Sequence, residues 1–470
     1  SIASALGASS RADGFYEGSG LLVSWCVGHL VSPMDAGGYD ERFKKWRYDD
    51  LPILPEPFRY VLAPGKEDAF ENLRALMNRP DVDTIVNACD AGREGELIFR
   101  LVYEMAGCRK PVLRLWISSM EDSAIREGFS DLRPGADYEA LYQSALCRQK
   151  ADWLVGINAT RLFSVLYHRT LNVGRVQTPA LAMMAERDTK ITLFHKEKYH
   201  LLRLTLNGAE AVSEKFTDSA AAEQAAAMCK GVAVTCTSVT KEQKKEQPPK
   251  LYDLTTLQRE ANRLFGYTAK QTLDYAQSLY EKKLLTYPRT DSRYLTSDMA
   301  ETASCVIHLA AKLPPFDGCG NFFPLVEAMI SDKEVSDHHA IIPTMEIEKV
   351  DIKALPLGER NLFLLVCCKL LCASAEPYVY EAVTATFDCC GHSFTAKGKR
   401  ILSEGWREID HIFRTSLKEK PVDGDGGTLP DFTEGQTFDG AEVSVTEHFT
   451  QPPKPYTEAI CCERGIRNRP

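Results

Sequence analysis

The feature that most constrains the fold is a short apolar run, Thr84-Ile85-Val86-Asn87-Ala88, that leads into an acidic segment, Asp90-Ala91-Gly92-Arg93-Glu94-Gly95-Glu96, and then into a helical pattern over about 95–106. Residues 1 to about 145 repeat this alternation, with Leu21-Leu22-Val23-Ser24-Trp25 reading as a strand and 67–78 as a helix. Alternating strands and helices predict a parallel sheet with helices on its faces. Such sheets bind ligands at the carboxyl ends of their strands, which is where the acidic segment falls.

The rest of the chain reads differently. From about 141 to 187 the pattern is almost wholly helical, broken by Leu171-Asn172-Val173-Gly174, and strands return near 199–206 and 232–240. The segment 241–250, polar and proline-ended, reads as a connector. Helices resume over 254–264 and 268–281, the second capped by Thr268 and carrying Leu273, Ala276 and Tyr280 at helical spacing. Beyond Ser403 the sequence is strand-like and rich in Gly and Asp. At 470 residues the chain exceeds one core and is expected to divide into about three or four domains.

Composition narrows the class. With 44% hydrophobic and 26% charged residues the chain is of ordinary globular type. It has no apolar run of about 18 residues and no basic-then-apolar start, so neither a membrane span nor a secretory signal is expected, and the cytoplasm is the expected location. Fifteen cysteines stand singly or as the neighbours Cys367-Cys368, Cys389-Cys390 and Cys461-Cys462, without a CxxC pair. That spacing argues against a zinc ribbon or a disulfide framework and fits reduced thiols. A net charge of -9 is a weak argument against nucleic acid, because a basic groove neutralises phosphates locally.

Four segments hold the chemistry. In Leu285-Thr286-Tyr287-Pro288-Arg289-Thr290-Asp291-Ser292, an extended backbone puts Tyr287, Arg289 and Asp291 on one face. Pro288 favours that conformation at Tyr287. A phenol of pKa about 10 needs a nearby cation to attack a phosphodiester, and Arg289 is the candidate. On the octapeptide alone, an exposed turn with a tyrosine packed behind it explains the pattern too. In the acidic segment, Asp90, Glu94 and Glu96 suit a hard cation such as Mg2+, with Arg93 placed for a phosphate; a solvated loop and a charged first helical turn are the plainer explanation. In Asn172-Val173-Gly174-Arg175-Val176-Gln177-Thr178-Pro179, Gly174 permits close approach and Arg175, Gln177 and Thr178 offer donors to phosphates, ahead of a helix begun by Pro179. In Asp337-His338-His339-Ala340 the two histidines point apart, which disfavours a metal pair and leaves one phosphate-facing or structural histidine. His29 has the same two readings.

In order and wording these pieces resemble the type IA DNA topoisomerases, and Asp90 to Arg100, Ala151-Asp152-Trp153-Leu154-Val155-Gly156-Ile157-Asn158, 174–179 and 286–292 are most similar to the topoisomerase III branch. The resemblance runs from Ser1 to about Ala459. It implies an α/β plus α, multidomain torus. Residues 1–145 would form a Toprim-like parallel α/β domain, 146–194 a helical single-strand domain, and 195–247 with 405–450 a β-rich arch. Residues 248–404 would form a mainly helical gate domain carrying the tyrosine, and 451–470 would return to the helical domain. It further implies that Tyr287 attacks the backbone and becomes linked to a 5′ phosphate, assisted by Arg289 and His338. Asp90 and Glu94 would lie near Mg2+, with Arg93 beside the cleaved phosphate. Arg148, Asp152 and Asn172, Val173, Gly174, Arg175, Val176 and Gln177 would line a single-strand groove near His29. A monomer acting on single-stranded DNA, with a helicase or single-strand-binding protein as partner, is the implied setting. Transesterification stores the bond energy, which agrees with the absence of a nucleotide-binding phosphate loop.

Two departures stand out. The aspartate that the family pattern sets two residues after Asp90 is Gly92 here, so metal binding is expected to lean on Glu94 and Glu96. The family's first strand, with a glutamate and a lysine, would precede Ser1. The chain as given is therefore expected to bind DNA without forming an adduct. The competing readings are a Toprim primase or nuclease, and a single-strand-binding remnant.

Overall fold

The computed structural model describes residues 2–118, 120–318, 324–335, 338–417, 429–440 and 442–457. Ser1, Asp337 and residues 458–470, all used in the sequence reading, lie outside them.

The strand Ile85–Asn87 pairs in parallel with Val112–Arg114, which pairs antiparallel with Arg133–Pro134. Leu97, Phe99, Leu101 and Val102 of the helix Arg93–Met105 bury against Phe70, Leu73 and Met77 of the helix Glu67–Met77. The expected strand at 21–25 does not join this sheet. Leu21–Ser24 pairs antiparallel with Phe15–Gly18, and that with Ser10–Ala12. The reason is local: Ser19 and Gly20 both take positive φ, 54° and 74°, the geometry of a tight hairpin that folds the strand back on its neighbour.

The helices Glu139–Leu166 and Gln177–Thr192 follow, the second starting two residues before Pro179. A seven-stranded antiparallel sheet then runs in the order Thr437–Phe438, Val234–Glu246, Tyr378–Cys389, His392–Ser403, Ala209–Ser213, Lys198–Leu206, Glu442–Phe449. Its core holds Leu202, Leu204, Phe387 and Phe394 under the helix Ser219–Cys229. The expected connector begins inside this sheet, since Lys241 to Glu246 continue a strand whose partners are Val383 to Tyr378. Polar alternation gave no apolar face to recognise; the ladder is held by backbone bonds to a strand remote in sequence.

A third core is helical. Leu254–Phe265, Ala269–Glu281, Ala300–Ala310 and Leu357–Ala373 gather around Leu362, Phe363, Val366 and Leu370. The region after Ser403, read as strand-like, opens with the helix Trp406–Ser416, whose Ile409 and Phe413 join this core rather than the sheet. Both helices 254–265 and 269–281 begin with reciprocal caps, Asp253 with Thr256 and Thr268 with Gln271.

Candidate active site

The tyrosine segment is fastened by its alternate residues. Thr286, Thr290 and Ser292 are buried and donate to the carbonyls of Ala340 (3.2 Å), His338 (2.8 Å) and Glu334 (2.8 Å). The Thr286 N–H donates to Ile342 O at 3.0 Å. With these residues turned inward, Tyr287, Arg289 and Asp291 turn the other way. Arg289 and Asp291 are exposed, while Tyr287 is 8% exposed because a second element covers it.

That element is the carboxyl end of the parallel strand pair. The Tyr287 hydroxyl donates to Asp90 Oδ2 at 3.1 Å across 197 residues of sequence, and its N–H donates to Ser118 O at 3.1 Å. Asp90 is held in turn by Arg114, whose buried guanidinium donates to the carbonyls of Asn87 (2.9 Å), Cys89 (2.6 Å) and Asp90 (2.7 Å). Gly95 lets the helix approach this turn, since a Cβ there would lie 2.1 Å from Asp90 O.

His338 spans the same seam. Its Nε2 bonds to the carbonyl of Ala91, which can only accept, so Nε2 carries the proton. Nδ1, 3.0 Å from Ser118 Oγ, then accepts from that hydroxyl. The ring lies 4.4 Å from that of Tyr287 and stacks on Trp116 at 6.4 Å. Burial pushes His338 down to about 4, so it stands neutral. Burial also raises the Tyr287 phenol above its usual value; the Asp90 carboxylate adds to this and Arg289 opposes it without prevailing. The activating cation read from the sequence is thus outweighed in this arrangement. The cavity beside Asp90, Tyr280, Tyr287 and His338 measures about 40 Å³, space for water and not for a nucleotide.

Next to this closed centre lies an open, charged surface. His29 Nε2 is 3.3 Å from Glu94 Oε2, and this contact, with the fields of Arg148 and Arg93, holds the Glu94 carboxyl below the usual range. Arg175 forks onto Asp152 at 2.5 and 3.2 Å. Partial burial lowers Arg148, and the nearby Arg175 and Arg93 add like-charge repulsion, so three guanidiniums share one neighbourhood. Asn172, Gln177 and Thr178 are exposed, with Val173, Gly174 and Val176 partly buried. The Thr178 hydroxyl caps the turn by accepting from Gly174 N–H at 3.1 Å, and Val173 N–H donates to Thr160 Oγ1 at 2.9 Å.

Residues 136–461 match the sequence model of a family described as DNA topoisomerase. The chain is 38% identical over 469 residues to DNA topoisomerase 3 of Bacillus licheniformis and 38% identical over 473 residues to that of Bacillus subtilis. The chain belongs to the type IA DNA topoisomerase family. Each alignment covers 97% of this chain and 64% of the relative, so the chain spans about 64% of the length of these curated relatives. The crystal structure of full-length topoisomerase I from Thermotoga maritima shares the fold with a TM-score of 0.73 at 22% identity, covering 98% of this chain and 72% of that one.

For a topoisomerase the acidic segment raises the question of Mg2+, and its residues fit a two-carboxylate site. Asp90 is exposed and Glu94 partly exposed, and both offer carboxylate oxygens of the kind Mg2+ takes together with waters and substrate phosphates. Glu96, expected as a third ligand, is 1% exposed and turned away: its oxygens accept from Asn87 Nδ2 (2.8 Å) and Arg100 Nε (2.9 Å) and form an ion pair with Arg114, whose Nε lies at 3.3 Å. A buried carboxylate needs such partners, which is why its helical-turn position misled. Among the described residues the segment does not gather three carboxylate ligands within 4.8 Å of one another. A Cβ at Gly92 would meet nothing within 4 Å, so the turn has room for the missing aspartate.

Sequence reasoning missed Arg114, Trp116 and Ser118 altogether. Their only signal is position: Arg114 ends the strand Val112–Arg114 and the other two follow it, and ligand-side residues of a parallel sheet sit at just such strand ends.

Proposed function

We propose that this chain carries the strand-cutting centre of a topoisomerase III-type enzyme. Its activity is ATP-independent, Mg2+-dependent breakage, passage and rejoining of single-stranded DNA through a 5′-phosphotyrosine, relaxing negative supercoils and decatenating. The observation that carries this reading is the meeting of Tyr287 with Asp90 and His338, assembled from segments about 200 and 250 residues apart. Tyr287 Oη forms a bond to phosphorus as the bond from phosphorus to the 3′ oxygen breaks; the phenol proton leaves toward Asp90 and the 3′ oxygen takes one up from water. Asp90 and Glu94 would hold Mg2+, which would supply charge neutralisation to the phosphodiester. Arg289 and Arg93 hold phosphate oxygens, and neutral His338 donates through Nε2 once the seam with Ala91 parts. The surface of His29, Arg148, Asp152, 172–178 and Asp291 binds the strand through its backbone.

In this reading the helical unit with Tyr287 is a gate in a torus of four domains. It lifts from the strand ends to admit DNA, because the closed cavity has no room for it. The enzyme works as a cytoplasmic monomer with a helicase or single-strand-binding partner; no described helix is long and apolar enough to cross a membrane. The test is to incubate the full-length gene product with labelled single-stranded DNA and Mg2+ and stop with denaturant. A covalent adduct lost in Tyr287→Phe is expected. Cleavage that survives Tyr287→Phe would make the acidic segment a nuclease centre, and binding without an adduct would leave single-strand binding alone.

A further inference from the structure

Far from the cutting centre, three thiols converge where the helix Ser219–Cys229 ends against the tip of the hairpin formed by Tyr378–Cys389 and His392–Ser403. The sulfurs of Cys229, Cys389 and Cys390 all lie within 4.8 Å of one another, the one such group of metal-ligating side chains among the described residues. Cys229 and Cys389 are buried, while Cys390 is exposed, at a φ of 53° in the turn. The turn conformation swings Cys390 back toward the helix end, where its thiol donates to Met228 O at 3.3 Å. Cys229 and Cys389 exchange thiol bonds with each other's carbonyls at 3.3 and 3.6 Å.

We propose that Cys229, Cys389 and Cys390 form a thiolate site for Zn2+, with the fourth position open to water beside Cys390. Tetrahedral zinc holds sulfur at about 2.3 Å, which sets two ligating sulfurs roughly 3.8 Å apart. Sulfurs already within 4.8 Å reach that spacing by side-chain rotation, with the helix end and hairpin tip left in place. Binding converts three thiols to thiolates and releases three protons to solvent, leaving a complex of net charge -1. The metal must displace the thiol protons of its ligands, so its affinity increases with pH. Cys229 O keeps a donor when its thiol partner is lost, the N–H of Val232 at 3.3 Å. The ion would pin the hairpin to the helix and stiffen one end of the seven-stranded sheet. Sequence reading argued against zinc from the absence of CxxC spacing, but here 160 residues separate Cys229 from Cys389.

This site is independent of the DNA reaction and is tested without it. The reduced, chelator-treated chain is titrated with Zn2+ while a pH indicator follows proton release, and with Cd2+ while the thiolate-to-metal absorption is followed. One tight equivalent releasing three protons is expected. Cys390→Ser should weaken it on the order of 100-fold or more, since even outer-shell losses cost about 10–100-fold. Cys147→Ser and Cys305→Ser, at exposed thiols elsewhere, should leave it unchanged. Zn2+ should raise the melting temperature of the wild type and not of Cys390→Ser, a variant at an exposed turn that melts like the wild type without metal. A tight equivalent that persists in Cys390→Ser, or a wild type without one, would overturn the proposal.

Discussion

The seam around Tyr287 and the surface around Arg148 are neighbours with opposite construction. At the seam the Tyr287 phenol and the His338 ring are buried, and their polar atoms have partners inside the protein: the phenol on Asp90, the imidazole on Ala91 and Ser118. On the surface, charges stand in water, and Arg175 and Asp152 keep side chains 45% and 42% exposed. Exposed ion pairs exchange readily for phosphate contacts, whereas the seam has space for water alone. In the proposed reaction the difference implies an order of events: a strand docks on the groove while the centre is closed, and cutting waits for the seam to make room for a phosphate beside Tyr287 and Asp90.

The comparison breaks most sharply at the support of each region. Arg114→Ala leaves Glu96 short of its buried partner and should cost about 3–5 kcal/mol, seen in denaturant unfolding. Arg175→Ala removes an exposed pair and should cost no more than about 1 kcal/mol. Equal losses would mean that the two regions are not built differently. Next in size, Arg289→Ala should reduce DNA cleavage by about 10²–10³-fold while changing strand affinity little, if it acts on charge developing at the phosphate. An equal loss of binding would move Arg289 to the groove.

The third effect is in pH. A histidine held near 4 when folded, against an ordinary 6.5, binds its proton better when unfolded. Its contribution is therefore complete above about pH 6.5 and is lost as pH falls toward 4, roughly 3 kcal/mol at most. His338→Gln should flatten this part of the unfolding profile, and an unchanged slope would remove His338 from the buried seam. The smallest effect has the opposite sign. Gly92→Asp, placed in open space, should strengthen Mg2+ binding severalfold, read as a larger Mg2+-induced rise in melting temperature. No change would mean that the turn does not face the ion.

Local features were legible in the chain. The cap at Thr268, the strand at 85–87 and the helix that follows the acidic turn come from short-range patterns that tertiary packing leaves alone. Long-range features were not. The strand over 241–246 finds its partner at 378–383, and Glu96 takes its role from Arg114, 18 positions on, so burial and not spacing separates a ligand from a buttress. Within the tyrosine motif, the spacing of Tyr287, Arg289 and Asp291 was visible, but the fastening done by Thr286, Thr290 and Ser292 depends on carbonyls at 334–340.

The central claim is that Tyr287 is the group that takes the phosphate. A second tyrosine, Tyr280, stands 5.4 Å away on the same cavity with its phenol also raised by burial. Trapping the DNA adduct of the full-length gene product, digesting it and sequencing the linked peptide by mass spectrometry separates the two. The account expects a phosphotyrosyl nucleotide on Tyr287; the same label on Tyr280, or on any other residue, would contradict it.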